Sequence, residues 1–122
     1  MDTIFVEGME CIGVHGITEK EQKPQKFVVT VEADVESAQT LRAVAGDNIG
    51  DATDYRVIRD TVEGVMVSGP RRNLLETLAC SIATSMFAQL PQVRKVRVKI
   101  MKSGIWRNGS PGVLVRRKRQ EG

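Results

Sequence analysis

Alternation of apolar and polar residues predicts the strands of this chain. The segment KFVVTVEADVE alternates strictly, as a half-buried β-strand does. The residues on its predicted buried face are Phe27, Val29, Val31, Ala33 and Val35. The earlier segment IFVEGMECIGVHG is its expected hairpin partner, and KPQ leads from one strand to the other. Later, VRKVRVKIMK alternates again, and a last strand is expected around VLVRR.

Helical spacing appears twice between these pairs of strands. The first set follows DATD and comprises Tyr55, Ile58, Val62 and Val65. Candidates for its N-cap are Asp51, Thr53 and Asp54. The second set follows a break at SGP and comprises Leu75, Leu78, Ala79, Ile82 and Met86. The pair Leu90–Pro91 is expected to end this second helix.

The predicted order of elements is β-β-α-α-β-β. This order favours an α+β fold, in which an antiparallel sheet carries both helices on one face. No repeat or linker divides the chain, so residues 1–122 are expected to form one domain, with 116–122 as a basic C-terminal tail. The two edges of such a sheet would stay open unless other subunits covered them, which favours a homo-oligomer.

Composition and charge favour a soluble globular protein, with 41% hydrophobic and 27% charged residues. No apolar run is long enough for a membrane span and no signal peptide is recognisable, so a cytoplasmic location is expected. Cys11 and Cys80 are far apart and are expected to be packed thiols.

The net charge of +3 arises from the segment RRKR, offset by Glu121, because residues 1–115 carry 14 basic and 14 acidic side chains. This segment is interpreted as a solvated terminus rather than as a binding site for a polyanion, and no nucleic-acid partner is expected. The low aromatic content of 4% also argues against an RNA-binding α+β module, the alternative from another functional class.

Glu76 has two interpretations. It stands three residues after Asn73, so NLLE resembles a capping box in which Asn73 is the N-cap. A carboxylate beside the free N–H groups of a helix start also presents acceptors and donors together, a pattern that matches the edge of a guanidine-like heterocycle. Periodicity alone favours the capping box.

Lys102 continues the apolar phase of Val96, Val98 and Ile100, so its side chain should leave the sheet on the core side. It is either a lysine that extends to solvent from a strand end or a partly desolvated amine that can act as a base. Tyr55 would ordinarily be a core contact. With His15 as the only histidine, no histidine-rich metal site is expected.

Taken together, these segments resemble the dihydroneopterin aldolases of folate biosynthesis. The resemblance runs from IFVEGMECIGVHGITEKEQKPQKFVVTVEADV through AGDNIGDATDYRVIRDTVE and NLLETLA to VRVKIMK and GVLVRR, and so spans nearly the whole chain. It implies the tunnelling fold, in which β-β-α-α-β-β subunits join their sheets into a ring, as a tetramer or octamer. It also implies a retro-aldol reaction without cofactor or metal, which cleaves dihydroneopterin to 6-hydroxymethyl-7,8-dihydropterin and glycolaldehyde.

The resemblance also implies roles for individual residues. Glu76 would anchor the pterin through its 2-amino group and N3, and the backbone near Leu75 and Thr53 would contact the ring. Tyr55, Lys102 and Glu21 would match the catalytic tyrosine, lysine and glutamate of the family. The anchoring role for Glu76 then replaces the capping box.

Three departures from the family pattern bear on the site. The lysine is commonly followed by proline, whereas Ser103 follows Lys102, and SGIWRNGSP differs from the usual proline-rich passage. The loop around Glu21 is a residue short, so Glu19 is an alternative counterpart. A pterin epimerase on the same fold, acting on dihydroneopterin or its triphosphate, is the closest alternative function.

Overall fold

Strand Gln25–Val35 runs between two antiparallel neighbours in the computed structural model, which describes residues 1–120. Within these residues one four-stranded sheet forms in the order β1-β2-β3-β4, and all neighbours are antiparallel. The strands are β1 (Asp2–Gly13), β2 (Gln25–Val35), β3 (Val93–Lys102) and β4 (Gly112–Lys118). The α-helices are α1 (Ser37–Gly46), α2 (Tyr55–Glu63) and α3 (Leu75–Gln89). A π-helical turn, Gly64–Ser68, extends α2.

The core lies between one face of the sheet and helices α2 and α3. All five residues on the predicted face of β2 are at most 1% exposed, as are the corresponding residues of β3. The helices contribute Ile58, Val62, Leu78, Ile82 and Met86 to the same cluster. Burial of this face removes the apolar surface of both layers from water, which is the main contribution to the stability of such a domain. The predicted sheet and its two core helices are confirmed.

Helix α1, which lies between β2 and α2, was not predicted. The described residues therefore form three α-helices where the sequence predicts two. None of the residues of α1 is buried, and Leu41 and Val44 are both largely exposed. The apolar periodicity that identifies a helix arises from packing against a core, and α1 has little such packing. Asp47, in the left-handed conformation with φ 47°, ends the helix.

The predicted capping box at the start of α3 is wrong. Leu74 is the N-cap and makes no side-chain capping bond, while the Oδ1 atom of Asn73 accepts from Nη1 of Arg71 at 3.1 Å. Glu76 is the second residue of α3 and is exposed. At the start of α2, by contrast, Asp54 caps the helix by accepting from the Arg56 N–H at 2.9 Å, as one of the three predicted candidates.

The basic segment at the C-terminus is not a free tail up to residue 119. Arg116, Arg117 and Lys118 belong to β4 and pair with β3. The guanidinium of Arg119 donates to the carbonyl groups of Phe87, Leu90 and Val93 at 2.8–2.9 Å, and it lies 5.0 Å from the centre of the Phe87 ring. These bonds supply donors to carbonyl groups at and just after the end of α3, where the helix itself provides none, and the contact with the ring is a cation–π interaction. Residues 121 and 122, including the charge of Glu121, lie outside the described residues.

The connections place the ends of the helices at opposite ends of the subunit. Helix α3 joins β3 through a turn over residues 90–92, so the start of α3 and the end of β3 lie at one end. The start of α2 lies at the other end, where Gln92 donates to the Thr53 hydroxyl at 3.2 Å. Over its 15 residues α3 separates the two ends by about 22 Å. Among the described residues, no helix is long and apolar enough to cross a membrane.

Candidate active site

Lys102 and Glu21 form an ion pair at the end of β3. Lys102 follows Ile100 on the helix-covered face, as predicted, and its side chain is only 15% exposed. Its Nζ atom donates to Oε2 of Glu21, whose side chain is 22% exposed. The lysine therefore does not extend freely into solvent. A partly desolvated amine held by one carboxylate is suited to proton transfer with a bound molecule.

The second carboxylate oxygen of Glu21 is held by its own loop. Oε1 accepts from the Thr18 hydroxyl at 2.9 Å, the Thr18 N–H at 3.1 Å and the Ile17 N–H at 3.3 Å. The bond from Lys102, followed by those from Thr18, lowers the pKa of Glu21 to about 2. Glu21 is therefore a fixed carboxylate near neutral pH.

Glu21, and not Glu19, is the glutamate that the structure brings to Lys102. Glu19 is exposed and precedes the short 3-10 turn Lys20–Gln22 on which Glu21 lies. Gly16 gives the carboxyl group of Glu21 its space: its φ is +123°, and a Cβ there would overlap the Glu21 side chain. The loop therefore requires glycine at position 16 for both its conformation and the approach of Glu21.

His15 ties this loop to the segment that precedes α3. The ring is buried, and its Nδ1 atom accepts from the Arg72 N–H at 3.1 Å. Because Nδ1 accepts, the ring hydrogen lies on Nε2, which donates to the Met66 carbonyl at 2.8 Å. The Gly16 N–H adds a bond to the Arg72 carbonyl at 2.9 Å. The neutral imidazole thus joins the loop of Glu21 to the π-helical turn and to the entry into α3.

Arg71 strengthens the same junction. Its guanidinium donates to the Gly16 carbonyl at 2.6 Å and to Oε1 of Gln22 at 2.8 Å. These bonds hold the Glu21 loop beside the start of α3, so Glu21, Lys102 and Glu76 all lie at the same end of the subunit. The roles of His15, Gly16 and Arg71 leave no pattern in the sequence, because each one depends on a partner about 50 positions away or on a backbone angle.

Glu76 lies at the head of a groove along the exposed side of α3. The groove has a volume of about 660 Å³ and is lined by Glu76, Thr77, Cys80, Ser81, Thr84, Ser85 and Ala88. As the second residue of the helix, Glu76 lies beside N–H groups that have no partner within the helix. Leu75, which precedes it, is half-buried against the core. This helix end offers a carboxylate and amide donors to a ligand.

Thr53 and Tyr55 lie at the opposite end of the subunit. Thr53 is buried, and its hydroxyl accepts from Gln92. Tyr55 is 64% exposed, so the expected core contact is wrong. The single subunit therefore assembles Glu21 with Lys102, places Glu76 at the same end, and leaves Thr53 and Tyr55 away from all three. Within residues 1–120 no group of three or more His, Cys, Asp and Glu side chains is placed to hold a metal ion.

Known proteins share the sequence pattern of this chain. Residues 4–116 match the FolB family model, described as dihydroneopterin aldolase. The dihydroneopterin aldolase of Bacillus subtilis (strain 168) is 37% identical over 105 residues, which cover 84% of this chain and 82% of that protein.

Solved structures share its fold. The E. coli dihydroneopterin aldolase in complex with neopterin superimposes with a TM-score of 0.85 at 28% identity, covering 96% of this chain and 99% of that one. The Burkholderia thailendensis dihydroneopterin aldolase bound to guanine gives 0.82 at 26% identity, covering 98% and 92%.

Proposed function

The chain belongs to the dihydroneopterin aldolase family and is an aldehyde-lyase of folate biosynthesis, and from that premise we propose which of its residues perform the reaction. In this proposal Glu76 anchors the pterin, Lys102 is the base, Glu21 orients Lys102, and Tyr55 of a neighbouring subunit assists the second proton transfer. The observation that carries the proposal is the bond between Lys102 and Glu21 at the end of the subunit where α3 begins.

Glu76 anchors the pterin through complementary hydrogen bonds. The 2-amino group and N3–H of the pterin donate to the Glu76 carboxylate, and N–H groups near Leu75 face the acceptors of the ring. Neopterin and guanine, the ligands of the two related structures, both carry a 2-amino group beside a ring N–H and an oxo group. The exposed position of Glu76, without a capping bond for its helix, leaves the carboxylate available for this role.

The reaction then needs two proton transfers. Lys102, through a water molecule, removes the proton of the 2′-hydroxyl group, and the C1′–C2′ bond breaks to release glycolaldehyde. The bonding electrons enter the C6–N5 imine of the pterin and form an enamine. Protonation at C1′, steered by Tyr55, gives 6-hydroxymethyl-7,8-dihydropterin. The substrate thus supplies the electron sink that a lysine Schiff base provides in other aldolases.

Glu21 is assigned to positioning rather than to proton transfer. Its low pKa keeps it ionised, so it does not take the substrate proton near neutral pH. A fixed carboxylate holds the Lys102 amine in one place and orders the solvent around it.

A complete site requires two subunits. Tyr55 and Thr53 lie at the end of the subunit opposite Glu76, at a distance of about 22 Å along α3, too far for one pterin to contact both. A second copy that brings its Tyr55 end to the Glu76 end of the first would complete the pocket. A second copy of this chain is therefore the proposed protein partner, and the pterin is the proposed substrate.

The two sheet edges are suited to such an assembly. Strands β1 and β4 are the two edges of the sheet, so the backbone N–H and C=O groups on their outer sides have no strand partner in a single subunit. Pairing β1 of one copy with β4 of the next covers both open edges. This contact is head-to-tail, and such contacts form a ring when the rotation between copies closes. We propose that it closes here, as a tetramer or a stacked octamer. A cytoplasmic location agrees with the two free cysteines.

The direct test is incubation of the purified protein with 7,8-dihydroneopterin, followed by identification of the products by mass spectrometry. Equal amounts of 6-hydroxymethyl-7,8-dihydropterin and glycolaldehyde are expected. An epimerised substrate without glycolaldehyde would instead assign the protein to the epimerase alternative. Unchanged substrate from a correctly assembled protein would contradict both.

A further inference from the structure

The helix-free face of the sheet carries a concentration of positive charge that the proposed reaction does not use. On this face, Lys95 of β3 lies directly opposite Lys118 of β4, and Arg97 lies directly opposite Arg116 two residues further along. Lys95, Arg116 and Lys118 are exposed. They line a cleft of about 470 Å³, together with Val96, Arg97 and Arg117.

Like charges in directly opposed positions are unfavourable. Side chains that face each other across an antiparallel pair have Cβ atoms about 5 Å apart, where two cations destabilise the sheet. In the described residues, Arg97 is the one of these four cations that forms a salt bridge, while Lys95 lies directly opposite Asp34 without bonding to it. Arg97 donates to Asp34 through both Nη atoms and to Glu32 through Nε, each at 2.8 Å.

Lys95, Arg116 and Lys118 make no such salt bridge in the described residues. Four positive charges therefore face two negative ones across these two rows of the sheet. This excess of positive charge on one cleft is an arrangement that a bound anion would stabilise.

From this geometry we infer that the cleft between β3 and β4 binds a compact anion with several phosphate groups, such as an oligophosphate. Neighbouring rows on one face of a strand are about 7 Å apart, so the three cations lie within reach of consecutive phosphate groups. A single orthophosphate would contact fewer of them. Charge-assisted bonds from lysine and arginine would supply the affinity.

The shape of the charge distribution favours a compact anion over a nucleic acid. Glu32 and Asp34 border the cations on the β2 side, so a long polyanion crossing the sheet would meet carboxylates. Single-stranded RNA also needs aromatic platforms for its bases, and Phe5 of β1 is the one aromatic residue on this face in the described part of the chain.

The proposed anion site is separate from the proposed active site. Lys95 lies seven residues before Lys102 on β3, a distance of about 23 Å, and their side chains leave opposite faces of the sheet. Removal of the cations should therefore leave the aldolase reaction unchanged. A failure of this inference and a failure of the aldolase assignment would be seen in different measurements.

The test compares the wild-type protein with the double variant Lys95→Met/Lys118→Met by titration calorimetry, using inorganic tripolyphosphate at low salt. Lys99→Met is the matched control, because Lys99 lies on the same face of β3 but opposite Leu114. The wild type should bind tripolyphosphate at least about tenfold more tightly than orthophosphate, and the double variant should lose at least about tenfold in affinity. The control should retain wild-type affinity.

A thermal-shift experiment shows whether a loss of tripolyphosphate affinity in the double variant arises from a folding defect. Removal of the opposed lysines should not lower the melting temperature of the free protein, and tripolyphosphate should raise that temperature in the wild type but not in the double variant. Equal affinity in all three proteins would overturn the inference. So would binding of single-stranded RNA without binding of tripolyphosphate, or equal affinity for orthophosphate and tripolyphosphate.

Discussion

Lys102 and Glu21 lie 81 positions apart in the sequence, and a hydrogen bond from the lysine Nζ to Oε2 of the glutamate joins them at the end of β3. The lysine reaches this point because it continues the core-facing phase of β3. The glutamate reaches it because its loop is held to the start of α3 by His15 and Arg71. The pair therefore links the sheet to the end of the subunit where Glu76 lies.

Lys102→Ala should reduce the chemical step by roughly 10²–10⁴-fold, as loss of a positioned base does. Pterin binding should persist, because the proposed anchor is Glu76. Single-turnover rates and equilibrium binding separate these effects, and Lys99→Ala on the other face of β3 is the control. EDTA should change neither protein. A near-normal single-turnover rate in Lys102→Ala would show that the lysine is not the base.

Glu76→Gln should weaken pterin binding by about 1.5–3 kcal/mol, the contribution of a hydrogen bond to a charged group. Stability should change little, because Glu76 makes no capping bond. Glu36→Gln is a matched control, since Glu36 is also an exposed glutamate at a helix start without a side-chain capping bond. Wild-type affinity in Glu76→Gln, measured by titration with neopterin, would refute the anchor.

Mixed rings should show whether the site is shared between subunits. Tyr55→Phe and Glu76→Ala proteins should each be inactive, but dissociation and reassembly together should restore part of the activity. In such a ring, some interfaces place the native Tyr55 of a Glu76→Ala subunit beside the native Glu76 of a Tyr55→Phe subunit. Light scattering should show a tetramer or octamer. A fully active monomer, or verified mixed rings without activity, would exclude a shared site.

Acid should weaken the contribution of Glu21 to stability. The folded protein lowers its pKa from 4.5 to about 2, so this contribution is complete above pH 4.5 and is lost as the pH falls toward 2. Asp34, whose pKa is lowered chiefly by Arg97, acts in the same direction. In urea unfolding at several pH values, Glu21→Gln should lose less stability over this range than the wild type.

Glu19→Gln is the control for this acid experiment, because Glu19 is exposed and lies in the same loop. It should follow the wild-type curve. Identical slopes for Glu21→Gln and the wild type would mean that the bonds to Lys102 and Thr18 do not persist in solution.

His15→Ala should loosen the loop that carries Glu21. The change leaves the Arg72 N–H and the Met66 carbonyl without their partner, and loss of the buried bond to Met66 costs about 1–3 kcal/mol. Hydrogen exchange should increase at residues 14–18 and 71–74, and turnover should fall more than pterin affinity. Cys11→Ala, a buried change nearby on β1, should lower stability without raising exchange in these segments.

The sequence by itself determined the sheet and its core. Strict alternation in β2 and β3 and helical spacing in α2 and α3 identify residues that face one buried layer, because burial imposes those periods directly on the chain. Lys102 was placed on the core side by the same alternation. Where an element packs weakly against the core, its apolar periodicity is also weak. The exposed helix α1 was missed for that reason.

Only the tertiary structure decided which residues meet. The choice between Glu19 and Glu21 depends on a loop whose path is set by Gly16 and by bonds to Arg71 and Arg72, none of which has a local pattern. The capping box at Asn73 failed because the chain before α3 is held by the Glu21 loop, so the helix begins one residue later.

The assignment of Lys118 to β4 likewise follows from its pairing with Lys95 of β3. The separation of Tyr55 from Glu76 follows from the direction in which α2 and α3 pack. Sequence periodicity specifies the face of each element, but the relative position of distant elements arises from contacts that form only when the chain is folded.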